Sequence, residues 1–346
     1  MKKATSSSLN KISFAIGFAA FLFALSLFSL PTPAASAARI IKVAHTLPES
    51  HIGHKAAVEY FNKTIEERSN GAIIIEVYPN GQLGGDRQLI ESIQLGTVDM
   101  VATAAAIVSG FETQFTVLDF PYLFKDKPTA YRALDGELGQ RLNDLLLKNQ
   151  GIRNLIFMEN GLRHITNNRG PIRKPDDLKG LKFRTMENPI HQATFKILGA
   201  NPTPMNFGEL YTALQQGTVD AQETPVTIIA SSKFNEVQKF LSLTGHFYAP
   251  SVLLINENLW QSLTDEERKI ISEAAVYLKD NQRRLNDAEE TRLTDEMRSS
   301  GLMEINELTP EEKEVFIKAT KPLFNQMADE LKLDPDLLGL AIKAND

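Results

Sequence analysis

The sequence predicts an α/β fold of two lobes facing one cleft, and three features carry that expectation. One local pattern occurs twice, at residues 89–103 and 210–224. A charge-rich helix longer than a single lobe follows in the last third of the chain. About 300 residues remain after a separate N-terminal segment, enough to bury two cores. The repeated stretches are LIESIQLGTVDMVAT and LYTALQQGTVDAQET, in which Leu89/Leu210, Gln94/Gln215, Gly96/Gly217, Thr97/Thr218, Val98/Val219, Asp99/Asp220 and Thr103/Thr224 coincide. In each, a helix ends at a glycine in the C′ position, where a left-handed φ is cheap. A TVD turn and a strand follow. Chance recurrence of a common αβ unit is the competing explanation. Two facing lobes would instead place Thr103 and Thr224 at equivalent strand ends, where ligands gather in open α/β sheets.

The elements follow in order. Lys2, Lys3 and Lys11 precede an apolar run over residues 12–30 and an Ala35-Ser36-Ala37 site. That is the layout of a secretory signal peptide over residues 1–37, cleaved after Ala37; an uncleaved anchor of near-spanning length is the alternative. Residues 43–46 end a first strand. Residues 53–69 form an amphipathic helix with Ala56, Ala57, Tyr60, Phe61 and Ile65 on one stripe. Residues 72–78 are a strand, and Asp86 is placed to cap a helix beginning near Arg87. Thr264 and Glu267 make a capping box that opens a helix reaching Ser299 and closed by Gly301. About 35 residues at 1.5 Å each span roughly 53 Å, so this helix must bridge both lobes. Its apolar stripe is too irregular for the rival reading, a coiled-coil surface. Thr309-Pro310-Glu311-Glu312 is a second box, with proline at its tolerated first position.

Composition narrows the function. The chain has no cysteine, hence no disulfide, thiol chemistry or lipobox acyl anchor. Its 37 basic and 43 acidic residues give −6. Residues 1–37 remove three lysines and no acids, leaving 34 basic against 43 acidic, or −9. A nucleic-acid partner, whose phosphates demand a basic face, is not expected. An anionic ligand needs a local basic site, because the global field repels it. Arg184 can supply one. It lies at the end of a short apolar strand, and its planar guanidinium matches a carboxylate in a bidentate fork. His51 and His54 lie one helical turn apart, but no third ligand stands at helical spacing, which favours capping over a metal. GQLGGD at 81–86 lacks the Lys-Ser/Thr of a P-loop and the GxGxxG spacing; it reads as a helix-opening turn. No Ser-His-Asp order is apparent.

Taken together, LKGLKFR, GANPTPM, ALQQGTVDAQE and FNEVQKFLSLTGH, with residues 83–86 and NGLRHIT at 160–166, form a specific set. From about Ile40 to the C-terminus the chain resembles the periplasmic solute receptors of tripartite ATP-independent periplasmic (TRAP) transporters, the DctP-like family. The resemblance implies a type II-like two-lobed periplasmic binding protein with a long lobe-bridging helix. Lobe I would comprise residues 39–160 plus 249–288, and lobe II residues 161–248 plus 289–346. It implies a small carboxylate ligand, a sugar acid such as a hexuronate or a C4-dicarboxylate, handed to membrane subunits for cation-coupled uptake. No chemistry, cofactor, metal or stable membrane insertion after signal cleavage is implied. Arg184 would clamp the carboxylate, with Arg163 assisting and Phe207 packing on the ligand. Thr224 stands where many relatives have asparagine. Glu187 would accept ligand hydroxyls or pair with a basic neighbour, and Thr46 and Tyr248 would sit at the cleft rim. The missing acidic residue after the first TVD strand, in Thr103-Ala104-Ala105-Ala106-Ile107, argues against sialic acid and for a drier first-lobe wall. A ligand sensor for a receptor kinase and a periplasmic enzyme acting on an organic acid are the other classes left open.

Overall fold

The computed structural model describes residues 38–346; the expected signal peptide, residues 1–37, lies outside them. The first half alternates β1 (Arg39–Ala44), the composite helix α1 (Ile52–Ala56, Ala57–Asn62, Lys63–Arg68), β2 (Ile73–Tyr78), α2 (Asp86–Leu95) and β3 (Met100–Ala104), then α3 (Ala105–Val108). After α4 (Lys127–Asp135) and α5 (Glu137–Gln150), the long strand β4 (Ile152–Asn167) leads to the second half. There β5 (Lys182–Thr185), α6 (Pro189–Ile197), β6 (Asn201–Pro204), α7 (Phe207–Gln215) and β7 (Ala221–Thr224) repeat the alternation, followed by α8 (Val226–Ser231). A second long strand, β8 (Phe240–Asn256), precedes α9 (Glu257–Ser262) and the 36-residue α10 (Asp265–Ser300). The chain closes with β9 (Glu304–Glu307), α11 (Pro310–Thr320), α12 (Pro322–Glu330) and α13 (Pro335–Lys343).

The strands form one mixed sheet in the order β2-β1-β3-β8-β4-β7-β5-β6, with β9 on β8. β1 pairs β2 and β3 in parallel, and β5 pairs β6 and β7 in parallel. Each three-strand unit then meets one of the two long strands antiparallel: β3 on β8, β7 on β4. The sequence repeat is therefore a structural one. Gly96 and Gly217 have φ of 71° and 70°. Behind them, Thr97 N and Val98 N donate to Ser92 O, while Thr218 N and Val219 N donate to Ala213 O. The TVD aspartates act alike: Asp99 Oδ2 accepts from Lys42 N (2.8 Å) and Asp220 Oδ2 from Lys182 N (3.0 Å), each tying its turn to the neighbouring parallel strand.

α10 behaves as its capping residues predict. Thr264 and Glu267 cap it reciprocally, and Gly301 ends it at φ 66°. Ile270, Ile271, Ala274, Ala275 and Leu278 bury in the cluster built on Ile41, Phe61 and Met100; Met297 buries in the cluster of Leu210, Leu214 and Leu241. One helix thus joins a first-half core to a second-half core. The C-terminal segment divides: Phe316 of α11 packs with Phe183 and Phe195, whereas Leu323, Met327 and Leu337 pack with Phe115 and Leu142. Among the described residues, no helix is long and apolar enough to cross a membrane.

α1 departs from the single regular helix expected. Residues Ala57–Asn62 form a π-helical turn, in which Lys63 N donates to Val58 O. The wider turn puts Ala56 and Phe61, five apart, on one buried face together with Ile65. π turns cost hydrogen-bond geometry and concentrate at functional sites; here Ala57, Phe61 and Asn62 all reach a cavity wall.

Candidate functional site

A cavity of about 1170 Å³, its open mouth included, lies between the two αβ repeats. The size suits a small organic ligand. Its first-half wall comes from the end of β1, from α1, from the start of α2 and from β3. Its second-half wall comes from β4, the end of β5, the start of α7 and the end of β7. The repeat explains why: each parallel unit delivers its strand carboxyl ends to the same space. Thr103 and Thr224 both line it, as the equivalence of the repeats predicts.

Of the residues singled out from the sequence, Arg184, Arg163, Thr224, Phe207, Glu187 and Thr46 line this cavity. Tyr248 does not: it is buried off the cavity, and its hydroxyl donates to Glu159 Oε2 (2.9 Å). Phe207, the first residue of α7, follows the capping Asn206 and lies edge-on to Phe234. Glu187 is exposed.

The two arginines differ. Arg184 is 3% exposed, and its Nε and Nη2 donate to one carbonyl, Met205 O (3.1 and 2.8 Å). No carboxylate among the described residues forms an ion pair with it. Burial and the neighbouring Arg163 pull its pKa from the ordinary value down to about 10, against Glu223, Asp86 and Glu187; it stays charged at neutral pH. A desolvated, unpaired cation is costly, and a ligand anion would remove that cost. Arg163 is already satisfied. Its Nε and Nη2 fork onto the Glu223 carboxylate, and Nη2 also reaches Glu223 O (2.7 Å). Burial alone would push the Glu223 carboxyl up; Arg163, His191 and His246 hold it well below the usual range. Arg163 therefore brings little net charge to the cavity.

Asp86 is the residue that sequence reading misplaced. Gly85 occupies the N-cap, with its N–H donating to Gln88 Oε1 (2.9 Å), and Asp86 is the first residue of α2. Its carboxylate turns to the cavity wall and accepts from Thr46 Oγ1 (3.0 and 3.2 Å) and Thr103 Oγ1 (2.8 Å). Burial pushes this carboxyl up, while the two hydroxyls and Arg184 hold it down. The first-half wall is thus not dry. The acid comes from the neighbouring helix and not from the residues after the TVD strand. The available signal was its place in the sequence, at the mouth of a helix three residues ahead of the repeat.

Of the two histidines one helical turn apart, His51 takes the expected capping role and His54 pairs with a third, His45. His51 caps α1, its Nδ1 accepting from Gly53 N (3.0 Å). His45 Nε2 and His54 Nδ1 share one hydrogen bond of 3.0 Å at the cavity wall. Burial and the partner His54 lower His45 to about 4, and burial lowers His54 as well. Among the described residues, no cluster of side chains is arranged to hold a metal ion.

Residues 43–331 match the family model described as bacterial extracellular solute-binding protein, family 7. The chain is 36% identical over 314 residues to the 2,3-diketo-L-gulonate-binding periplasmic protein YiaO of Escherichia coli, covering 91% of this chain and 92% of that one. It is 34% identical over 310 residues to the C4-dicarboxylate-binding periplasmic protein DctP of Rhodobacter capsulatus, covering 89% and 92%. Among solved structures it is similar to the sugar acid binding protein DctPAm of Advenella mimigardefordensis in complex with galactonate: TM-score 0.85, 33% identity, 89% of this chain and 99% of that one.

Proposed function

The chain belongs to the bacterial extracellular solute-binding proteins of family 7, TRAP-type receptors for organic acids and not enzymes, and we propose that it holds its ligand through a carboxylate clamped by Arg184. The observation that carries this reading is the state of Arg184: a buried guanidinium on the cavity wall whose protein partner is a single carbonyl. Thr224, Phe207, Thr46 and Glu187 complete the contacts, while Arg163, held by Glu223, positions β4 and adds a donor. Residues 1–37 export the chain to the periplasm. The two lobes close on the acid about residues 160–162 and 248–250 and hand it to the membrane subunits. Closure dehydrates the arginine–carboxylate contact and strengthens it.

A thermal-shift screen of the purified protein against organic acids, followed by calorimetry, tests the clamp. Losing one partner of a buried charge pair costs about 2–5 kcal/mol, or roughly 30-fold to several thousandfold in affinity. Arg184→Ala should lose that much. Arg184→Lys should also bind poorly, because an ammonium lacks the fork. Binding of Arg184→Ala within about threefold of wild type, or equal binding of the carboxamide analogue, would falsify the clamp.

A further inference from the structure

We propose that the His45–His54 pair is a proton-uptake site coupled to ligand binding: when an organic anion fills the cavity, the pair takes up one proton from solvent, and affinity rises as pH falls. The inference rests on the Arg184 clamp and follows from the charges around it. Among the described residues that line the cavity, the arginines are Arg163 and Arg184, and no lysine joins them. Arg163 is held by Glu223. Glu159 faces Lys127 (3.5 Å) and accepts from Tyr248. Glu187 is exposed, so water screens it. One cation, Arg184, and one carboxylate, Asp86, remain inside, and their charges cancel. A bound carboxylate then adds a negative charge with no protein cation left to balance it. A buried excess charge is costly, and it raises the proton affinity of the groups beside it.

The pair is arranged to take that proton. His45 follows β1 and His54 lies on α1, both on the cavity wall, with Nε2 of the first 3.0 Å from Nδ1 of the second. In the neutral pair one ring donates in this contact and the other accepts. His45 Nδ1, on a residue 5% exposed, has no hydrogen-bond partner. A proton there makes His45 an imidazolium that still donates from Nε2 to His54, and the Leu47 carbonyl favours the charged form. Asp86 is the rival acceptor, but the hydroxyls of Thr46 and Thr103 already donate to it and favour its ionised form. The other charged groups facing these histidines are Glu49 beside His54, and Lys55 and Glu289 beside His51. His51, lowered to about 3 by burial, stays neutral. Without ligand, burial keeps His45 down at about 4. A ligand anion raises it. Above that pH the complex therefore holds more protons than the free protein, and falling pH strengthens binding.

Calorimetry in PIPES and in Bis-Tris, buffers of different ionisation enthalpy, counts the protons taken up on binding. The probes are D-gluconate, D-galactonate, L-lactate, benzoate, L-tartrate and fumarate, all ionised from about pH 6 to about pH 8, so the ligand's own titration adds nothing. For the tightest-binding probe we expect uptake of at least about 0.4 proton at about pH 6.5, and affinity at least about threefold higher at about pH 6 than at about pH 8. The His45→Asn/His54→Asn double variant should take up less than about 0.1 proton and bind with an affinity that no longer follows pH. Nitrogen NMR of the histidine rings tests the wild type without any substitution: saturating probe should convert a histidine to the imidazolium form. Wild-type protein that takes up no proton and gains no imidazolium overturns the inference; if Arg184→Ala still abolishes binding, the clamp stands and this inference alone fails. Uptake that persists in the double variant places the proton elsewhere and overturns it equally. If Arg184→Ala binds as wild type does, or if no probe binds, the clamp fails and this inference with it.

Discussion

At the residue scale, the site turns on which charges are already paired. Arg163 and Glu223 are both buried, and each satisfies the other. Arg163→Ala would leave Glu223 at 0% exposure without its cation, a change that typically costs about 3–5 kcal/mol. We expect it to unfold at markedly lower denaturant, whereas Arg184→Ala, which leaves no carboxylate stranded, should melt near wild type. Equal stability of the two variants would contradict this division of roles. The buried histidines give the fold a pH dependence. His45 and His246 are lowered to about 4 and His51 to about 3, each chiefly by burial. The unfolded chain takes up their protons first, below about pH 6.5. Stability is therefore lost as pH falls from about 6.5 toward 4. Burial raises the Asp86 and Glu159 carboxyls, which oppose this loss at the acid end. His191, raised by Asp119 and Glu223 despite burial, contributes fully below about pH 6.5 and loses its effect only above it. His51→Asn keeps an N-cap and removes one proton site. Thermal melts of this variant should fall less steeply over that range; a parallel fall would sink the assignment to His51.

At the element scale, β4 is the strand that two helices and a proline shape. Its register against β8 shifts between Glu159 and Gly161, and Gly161 has φ 129°. Gln282 of α10 fills the gap, accepting from Glu159 N (2.9 Å) and donating to Glu159 O (2.6 Å), as a neighbouring strand would. A Cβ at Gly161 would stand 2.9 Å from Pro225 Cβ. Gly161→Ala combines that clash with a left-handed backbone, and strain of this kind costs about 1–3 kcal/mol. The expected result is a lower denaturation midpoint with an unchanged slope; wild-type stability would show that β4 bends freely there. Beside this point, Asn286 of α10 is fully buried with neither amide atom hydrogen-bonded, which marks the junction of α10, β4 and α8 as under-satisfied in this arrangement.

At the scale of the whole molecule, two αβ units share two long strands and one long helix. Their helix N-termini approach closely: a Cβ on Gly85 would lie 2.0 Å from Asn206 Nδ2. His51 of the first half reaches Thr227 of the second (3.4 Å). These contacts suit a closed arrangement, and in the proposed closure the irregular stretches of β4 and β8 would be the flexing points. Small-angle scattering should show a smaller radius of gyration when the cognate acid is added. An identical profile at saturating acid would count against hinged closure.

The repeated αβ unit and the caps of α10 at Thr264 and Gly301 followed from the sequence by itself. Each depends on hydrogen bonds or charge within a few residues, and such chemistry reads directly from residue order. Arg184 at a strand end was legible for the same reason. The pairing of Arg163 with Glu223, 60 positions away, was not, and it changes what Arg163 can offer a ligand. The turn of the Asp86 carboxylate toward Thr46 and Thr103, the removal of Tyr248 from the cavity, and the π turn of α1 were hidden likewise. Each is set by which strands lie side by side, because burial and pairing across long separations depend on neighbours that local propensity cannot specify.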